Sequence, residues 1–305
     1  METRLKAYFI GILWFILSLV SSSVNDIIQK YVSLPAYEIT FFRFFFGTIT
    51  LIPFIMYYGI GTLKTSRPTI HFIRGLLLFL AISGWIYGLH IAQVTTATVV
   101  SFATPIFVLV LGVFFLSENI IWQRWAVTFI AFGGIFITLN PLAEQFNPEI
   151  LVLVFATFAF AVLDIINKRF VIQESMISML FYSAIVTAVL AFPFALMNWS
   201  TPTTLELMLL FILGASANLI LFFILKAFSI IDATACAPYR YLELLFSAII
   251  AYIVFGEIPK ESTIWGALIV IPSTLFIIYS EKRAIDKQKL ADSRLDNASM
   301  EKAKV

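Results

Sequence analysis

The sequence predicts an all-α integral membrane protein: ten transmembrane helices in two inverted five-helix repeats. Three observations carry that expectation. The 305 residues are 61% hydrophobic and 12% charged, with a mean hydropathy of +0.97, whereas a soluble domain is nearer half apolar and about a quarter charged. Apolar blocks recur at a length close to the roughly 20 residues a helix needs to cross hydrocarbon. Polar landmarks of the first half return in the second: Asp26 and Asp164 are 138 residues apart, Thr95 and Thr234 139. This composition excludes a soluble enzyme, a nucleic-acid binder and a disordered chain. Cys236 is the one cysteine, so neither an intrachain disulfide nor a cysteine-based metal site can form.

Taken in order, the ten spans cover residues 8–28, 37–57, 70–90, 95–116, 122–139, 150–170, 176–197, 205–228, 233–255 and 264–280. The first lacks a small-residue cleavage site after it and is too long for a signal-peptide core, so it is expected to stay in the membrane. The blocks are solidly apolar, without the alternation of a β-barrel. They divide into repeats at residues 8–140 and 149–280, and residues 281–305 form a Lys-, Asp-, Ala- and Ser-rich tail. Net charge is +2, and seven of the 20 basic residues lie in that tail, so the basic balance marks no nucleic-acid surface. Arg4, Lys6, Lys64, Arg67, Arg124, Lys168, Arg169 and Lys226 fall on one side of the membrane, Lys30 and Lys260 on the other. Lysine and arginine gather on the cytoplasmic side, so both termini are predicted there.

The repeat is read from local echoes. Asp26-Ile27-Ile28-Gln29-Lys30 closes the first span and Asp164-Ile165-Ile166-Asn167-Lys168 the sixth; Glu118 follows the fourth span and Glu257 the ninth. Five spans per copy is an odd number, so the second copy enters the membrane upside down. That construction recurs in secondary transporters, where two halves exchange inward- and outward-open shapes around a midplane site.

Charges inside the spans locate the candidate site. A charge at the bilayer centre costs about 2.5–3.5 kcal/mol on insertion scales, so each needs a partner or a wet cavity. Arg240 and Glu243, three apart in the ninth span, share a helical face near mid-depth. Pro238 just before them, and Pro105 in the fourth span, remove backbone bonds and are expected to kink or open their helices. Arg43 can snorkel, pair with Asp26 as a structural or gating pair, or stack on neighbouring rings, and substrate contact stands level with the pair. Asp164 is a candidate ligand group with Lys168 as its alternative partner; Arg74 and Lys226, near helix ends, are expected to snorkel. Gly84 and Gly88 permit close helix approach; between them Trp85 and Tyr87 are a ligand-stacking pair or an interfacial belt. Asn218 closes a small, polar run in the eighth span and is expected to line a cavity. No catalytic constellation, metal-ligand cluster, cofactor motif or ATP-binding segment is present in the sequence, so any pumping draws on gradients, exchange or the membrane potential.

These residues resemble the drug/metabolite transporter superfamily, each half looking like an EamA-type domain. The resemblance is carried by the runs 37–46, 62–68, 118–125, 163–168 and 232–243, which are similar to a branch of obligate intracellular bacteria that takes up S-adenosylmethionine. It implies an inner-membrane carrier for that solute, with exchange for S-adenosylhomocysteine or potential-driven uptake. On that implication Arg240 takes the carboxylate, Glu243 or Asp164 balances the cationic end, and Tyr239, Tyr241 or Trp85 stacks on adenine or faces the sulfonium. Three alternatives remain on the sequence alone: an exporter of amino acids or other metabolites with the same fold, a membrane-embedded enzyme, for which no convergent acid, base or nucleophile is found, and a passive channel, which saturable counterflow would distinguish from a carrier.

Overall fold

The computed structural model describes residues 2–91, 100–118, 120–139 and 151–255, with scattered positions between 268 and 283. The regular elements among them are helical: α1 (Glu2–Lys30), α2 (Ala36–Tyr58), α3 (Pro68–Ile91), α4 (Thr104–Leu116), α5 (Trp122–Leu139), α6 (Leu151–Phe170), α7 (Met176–Met197), α8 (Thr204–Ile230), α9 (Ala233–Cys236) and α10 (Glu243–Phe255), with 3₁₀ turns at Ile60–Leu63 and Ala237–Leu242. Six of the helices carry stretches long and apolar enough to cross a membrane. The protein is therefore a multi-pass helical membrane protein. More than half of the expected tenth span lies outside the described residues, as do Thr95, Glu257 and nearly all of the tail.

The ninth span is not one helix. Pro238 has no N–H to return to the Thr234 carbonyl, and the chain tightens into a 3₁₀ segment over Ala237–Leu242 before α10 resumes at Glu243. The fourth span is interrupted too: a turn at 102–103 precedes α4, whose first turn holds Pro105. Proline is tolerated there because the first helical N–H groups have no intrahelical partner anyway. Pro105 thus starts a helix and does not kink one.

Helices of the first half pack mainly on helices of the second. α1 lies along α8 and α3 along α6; α2 meets both α7 and α8, and α3 also meets α7; α4 rests on α6, and α1 on α10. The α2–α8 crossing is backbone to backbone. A Cβ on Gly214 would sit 2.6 Å from both the Arg43 carbonyl oxygen and the Gly47 nitrogen, so only glycine fits. The core runs through Phe15, Leu19, Leu109, Met179, Leu225 and Phe228. Leu13, Phe54, Phe114, Val189 and Met208 face outward, as a hydrocarbon solvent requires.

Polar ties fix the two ends of the bundle. At one end, Lys168 Nζ donates to the carbonyls of Phe228 (2.8 Å) and Ile231 (2.7 Å), where α8 runs out of N–H partners. Beside it, the Glu118 carboxylate accepts the N–H groups of Ala233 and Thr234, both at 3.1 Å, opening α9. Arg124 bonds the Thr234 hydroxyl at 2.7 Å, and Arg67 reaches Gln173. At the other end, Glu38 accepts from the Ser200 N–H (3.0 Å) and Glu206 from that of Ser33 (3.3 Å). Connections 2–3, 4–5, 6–7 and 8–9 thus meet at one end, and connections 1–2 and 7–8 at the other.

Candidate functional site

Six helices and the interrupted fourth and ninth spans leave a cavity of about 350 Å³ at the heart of the bundle, within the roughly 300–1,000 Å³ typical of small-molecule sites. α1 contributes Phe15, Ser18 and Ser22; α2 contributes Arg43; α3 contributes Ile82 and Trp85. The α6 face supplies Thr157, Phe160, Asp164 and Asn167, whose spacing of three and four residues is one helical stripe. Ser183 comes from α7, Asn218 from α8, and Arg240 and Glu243 from the broken ninth span.

The cavity holds two arginines and two carboxylates. Arg240 is bonded to Asp164, not to Glu243, and its guanidinium carbon lies 5.6 Å from the centre of the Phe15 ring. The i, i+3 reading of Arg240 with Glu243 assumed an α-helix; the 3₁₀ segment re-aims Arg240 across the cavity to α6. Asp164 in turn does not use Lys168, whose ammonium is taken up by the end of α8. Glu243 shares a hydrogen bond with Ser22 of α1. Arg43 lines the wall with its guanidinium 5.8 Å from the Phe44 ring centre. The side chain of Asp26, its expected partner, lies outside the described residues.

Of the other expected residues, Trp85 and Asn218 line the cavity. Asn218 Nδ2 donates to the Gly47 carbonyl (2.6 Å) and the Thr50 hydroxyl (3.0 Å), which ties α8 to α2. Tyr87 points outward at 42% exposure, as a belt residue does. Tyr239 and Tyr241 must be corrected. Both are 0% exposed, and neither lines the cavity. The Tyr239 hydroxyl meets that of Tyr8 at 3.0 Å. The Tyr241 hydroxyl reaches the carbonyl of Phe102 (3.2 Å), where the fourth span is interrupted, and that of Thr128 on α5 (3.0 Å). Because the 3₁₀ segment turns successive side chains by about 120°, aiming Arg240 at the cavity aims its two neighbours away.

Sequence reasoning also misplaced Arg74. It is fully buried and does not snorkel: Nε donates to Asn167 Oδ1 at 2.8 Å, and one terminal nitrogen donates to the Met179 carbonyl at 3.0 Å. That terminal nitrogen also lies 3.4 Å from His71, whose ring meets Glu174 at 3.4 Å. Among the described residues no cluster of metal-ligating side chains occurs.

The arrangement suits a small solute carrying charges of both signs. Two stretches of the chain, residues 9–140 and 147–279, match the EamA-like transporter family. The chain is 63% identical over 290 residues to the S-adenosylmethionine uptake transporter of Rickettsia bellii, covering 94% of this chain and 100% of that one. It is 60% identical to the protein of the same name from Rickettsia prowazekii, over 94% and 99% of the two chains. Further away, a riboflavin transporter of Vibrio cholerae is 24% identical over 92% of this chain and 96% of its own. A crystal structure 17% identical in sequence shares the fold, with a TM-score of 0.70 over 90% of this chain and 95% of that chain. The chain belongs to the EamA-like transporter family.

Proposed function

We propose that this chain takes up S-adenosylmethionine across a bacterial inner membrane, by alternating access of the central cavity to the two sides. The observation that carries this reading is identity of 60–63% along 94% of the chain to transporters of that name, around a cavity holding both signs of charge. Arg240, Asp164 and Glu243 contact the charged end of the solute, Trp85 supplies a ring face, and Asn218 and Arg43 complete the wall. S-Adenosylmethionine usually carries a net charge of +1, and a cation gains about 2.3 kcal/mol per 100 mV on moving to a negative interior. Uptake therefore runs down the potential, or by exchange for the neutral product S-adenosylhomocysteine.

Ten spans in two inverted halves underlie the mechanism. The two family matches support this, as does the packing: exchanging α1 with α6, α2 with α7 and α3 with α8 turns each major contact into another. Phe102 and Tyr241, 139 residues apart like Thr95 and Thr234, touch with ring centres 5.5 Å apart, as equivalent residues do at a two-fold axis. The end that gathers Arg67, Arg124 and Lys168 is the cytoplasmic one, and both termini lie on that side. Labelled S-adenosylmethionine should enter proteoliposomes saturably, and faster when they are preloaded with S-adenosylhomocysteine. Non-saturable flux, or no flux under either a potential or a counter-gradient, would overturn the reading.

A further inference from the structure

The charged groups of the cavity account for the amino-acid and sulfonium end of the proposed solute, and leave its ribose and adenine unread. A second set of wall groups has no protein partner. The Thr157 and Ser183 hydroxyls are buried on the cavity wall and lack a hydrogen bond among the described residues. Asn167 belongs with them. A guanidinium has no acceptor, so the atom that Arg74 Nε meets at 2.8 Å must be the amide oxygen. The amide nitrogen is thereby turned the other way, and the hydrogen bond Asn167 makes among the described residues is through its oxygen. Asn167 is 1% exposed, and the face left open borders the cavity. Buried polar groups are seldom left unpaired in native proteins; two unpaired hydroxyls and an amide that borders the cavity call for a ligand with neutral polar atoms.

We infer that the α6–α7 wall, with Asn167 as its donor and Ser183 on the facing helix, is the subsite for the nucleoside part of the solute, and that Arg74 is a positioning residue that holds the Asn167 amide in the donating orientation. The ligand chemistry is a ribose hydroxyl or a purine ring nitrogen accepting from Nδ2. One helical turn separates Asn167 from Asp164, so a solute whose amino-acid end sits on the Asp164–Arg240 pair brings its neutral part within reach of this wall. The inference rests on the proposed uptake of S-adenosylmethionine.

Asn167→Asp tests it with little change of shape. One carboxylate oxygen still accepts from Arg74, so the fold keeps its tie, while the atom facing the cavity changes from donor to acceptor. In proteoliposomes, the KM for S-adenosylmethionine should rise about tenfold, with maximal rate and protein yield within about twofold of the parent. The added carboxylate would by itself attract a cationic solute, so the expected rise runs against simple electrostatics. Ser183→Ala, which leaves no group unpaired, should raise KM by a smaller factor, about two- to fivefold. Arg74→Lys should raise KM like Asn167→Asp, since an ammonium does not reproduce the fork. An unchanged KM in Asn167→Asp and Ser183→Ala, with transport intact, would overturn the inference. Absence of S-adenosylmethionine uptake by the unmodified protein would instead overturn the reading beneath it.

Discussion

Two arginines within the spans show how the same residue type is used in two regions of this bundle. Arg74, on α3, is fully buried and turns Nε and one terminal nitrogen to protein: an amide oxygen on α6, a backbone carbonyl on α7 and a histidine on its own helix. Arg240, in the 3₁₀ segment, has a side chain 20% exposed to the cavity and is bonded to Asp164 across it. The first closes a seam between three helices. The second is held by a carboxylate that also faces the cavity, so a solute bearing a carboxylate and an ammonium can replace each partner with one of the same charge. Breaking a buried pair without replacement is strongly unfavourable. On the proposed uptake, that exchange favours a solute that carries both signs.

The largest expected effect follows at the cavity. Arg240→Ala and Glu243→Gln should each abolish uptake, lowering the initial rate per folded protein at least a hundredfold. Glu243→Gln should keep the yield of folded protein in detergent within about twofold of the parent, because an amide replaces the carboxylate with little change of shape; Arg240→Ala strands the buried Asp164 carboxylate and should lower the yield as well. Near-normal rates in both variants would remove these residues from the site.

At the seam the order should reverse. Arg74→Leu leaves Asn167 Oδ1 without its donor, beside a His71–Glu174 pair that has lost its cationic neighbour. Loss of one member of such a buried polar group costs about 3 kcal/mol. The thermal midpoint in detergent should fall by several degrees and the yield with it, and the remaining folded protein should transport with a raised KM. A variant as stable as the parent would show that the cluster does not hold the seam.

The contrast also explains what the sequence could and could not reveal. Span positions were readable because hydrocarbon thickness sets block length: 122–139 and 176–197 coincide with α5 and α7. The interruption of the ninth span was readable from Pro238, whose missing N–H acts locally. The charge pairing was not. Arg240 and Asp164 are 76 residues apart, and only the packed bundle brings them together. A nearby Glu243 offered a local partner that the 3₁₀ twist then withdrew. Arg74 looked like a helix-end residue free to snorkel, and nothing in its neighbourhood in sequence announces Asn167 or Met179. Tyr239 and Tyr241 failed for a related reason: flanking a site residue is no guide to direction where the helix changes type.

The smallest expected effect separates a ring that reads solute from one that supports backbone. Tyr241 is wholly buried, with its hydroxyl on the Phe102 and Thr128 carbonyls and its ring against Phe102. Tyr241→Phe keeps the ring and removes only the hydroxyl. Hydrogen bonds between membrane helices average about 0.6 kcal/mol in double-mutant cycles, so the thermal midpoint should drop by no more than a few degrees. The KM for S-adenosylmethionine should not change, because the phenol does not reach the cavity. Trp85→Phe, at a ring that does border it, should raise KM severalfold with little loss of stability, because the smaller face stacks less well. If the tyrosine variant moved KM and the tryptophan variant did not, the two aromatic positions would have to exchange roles.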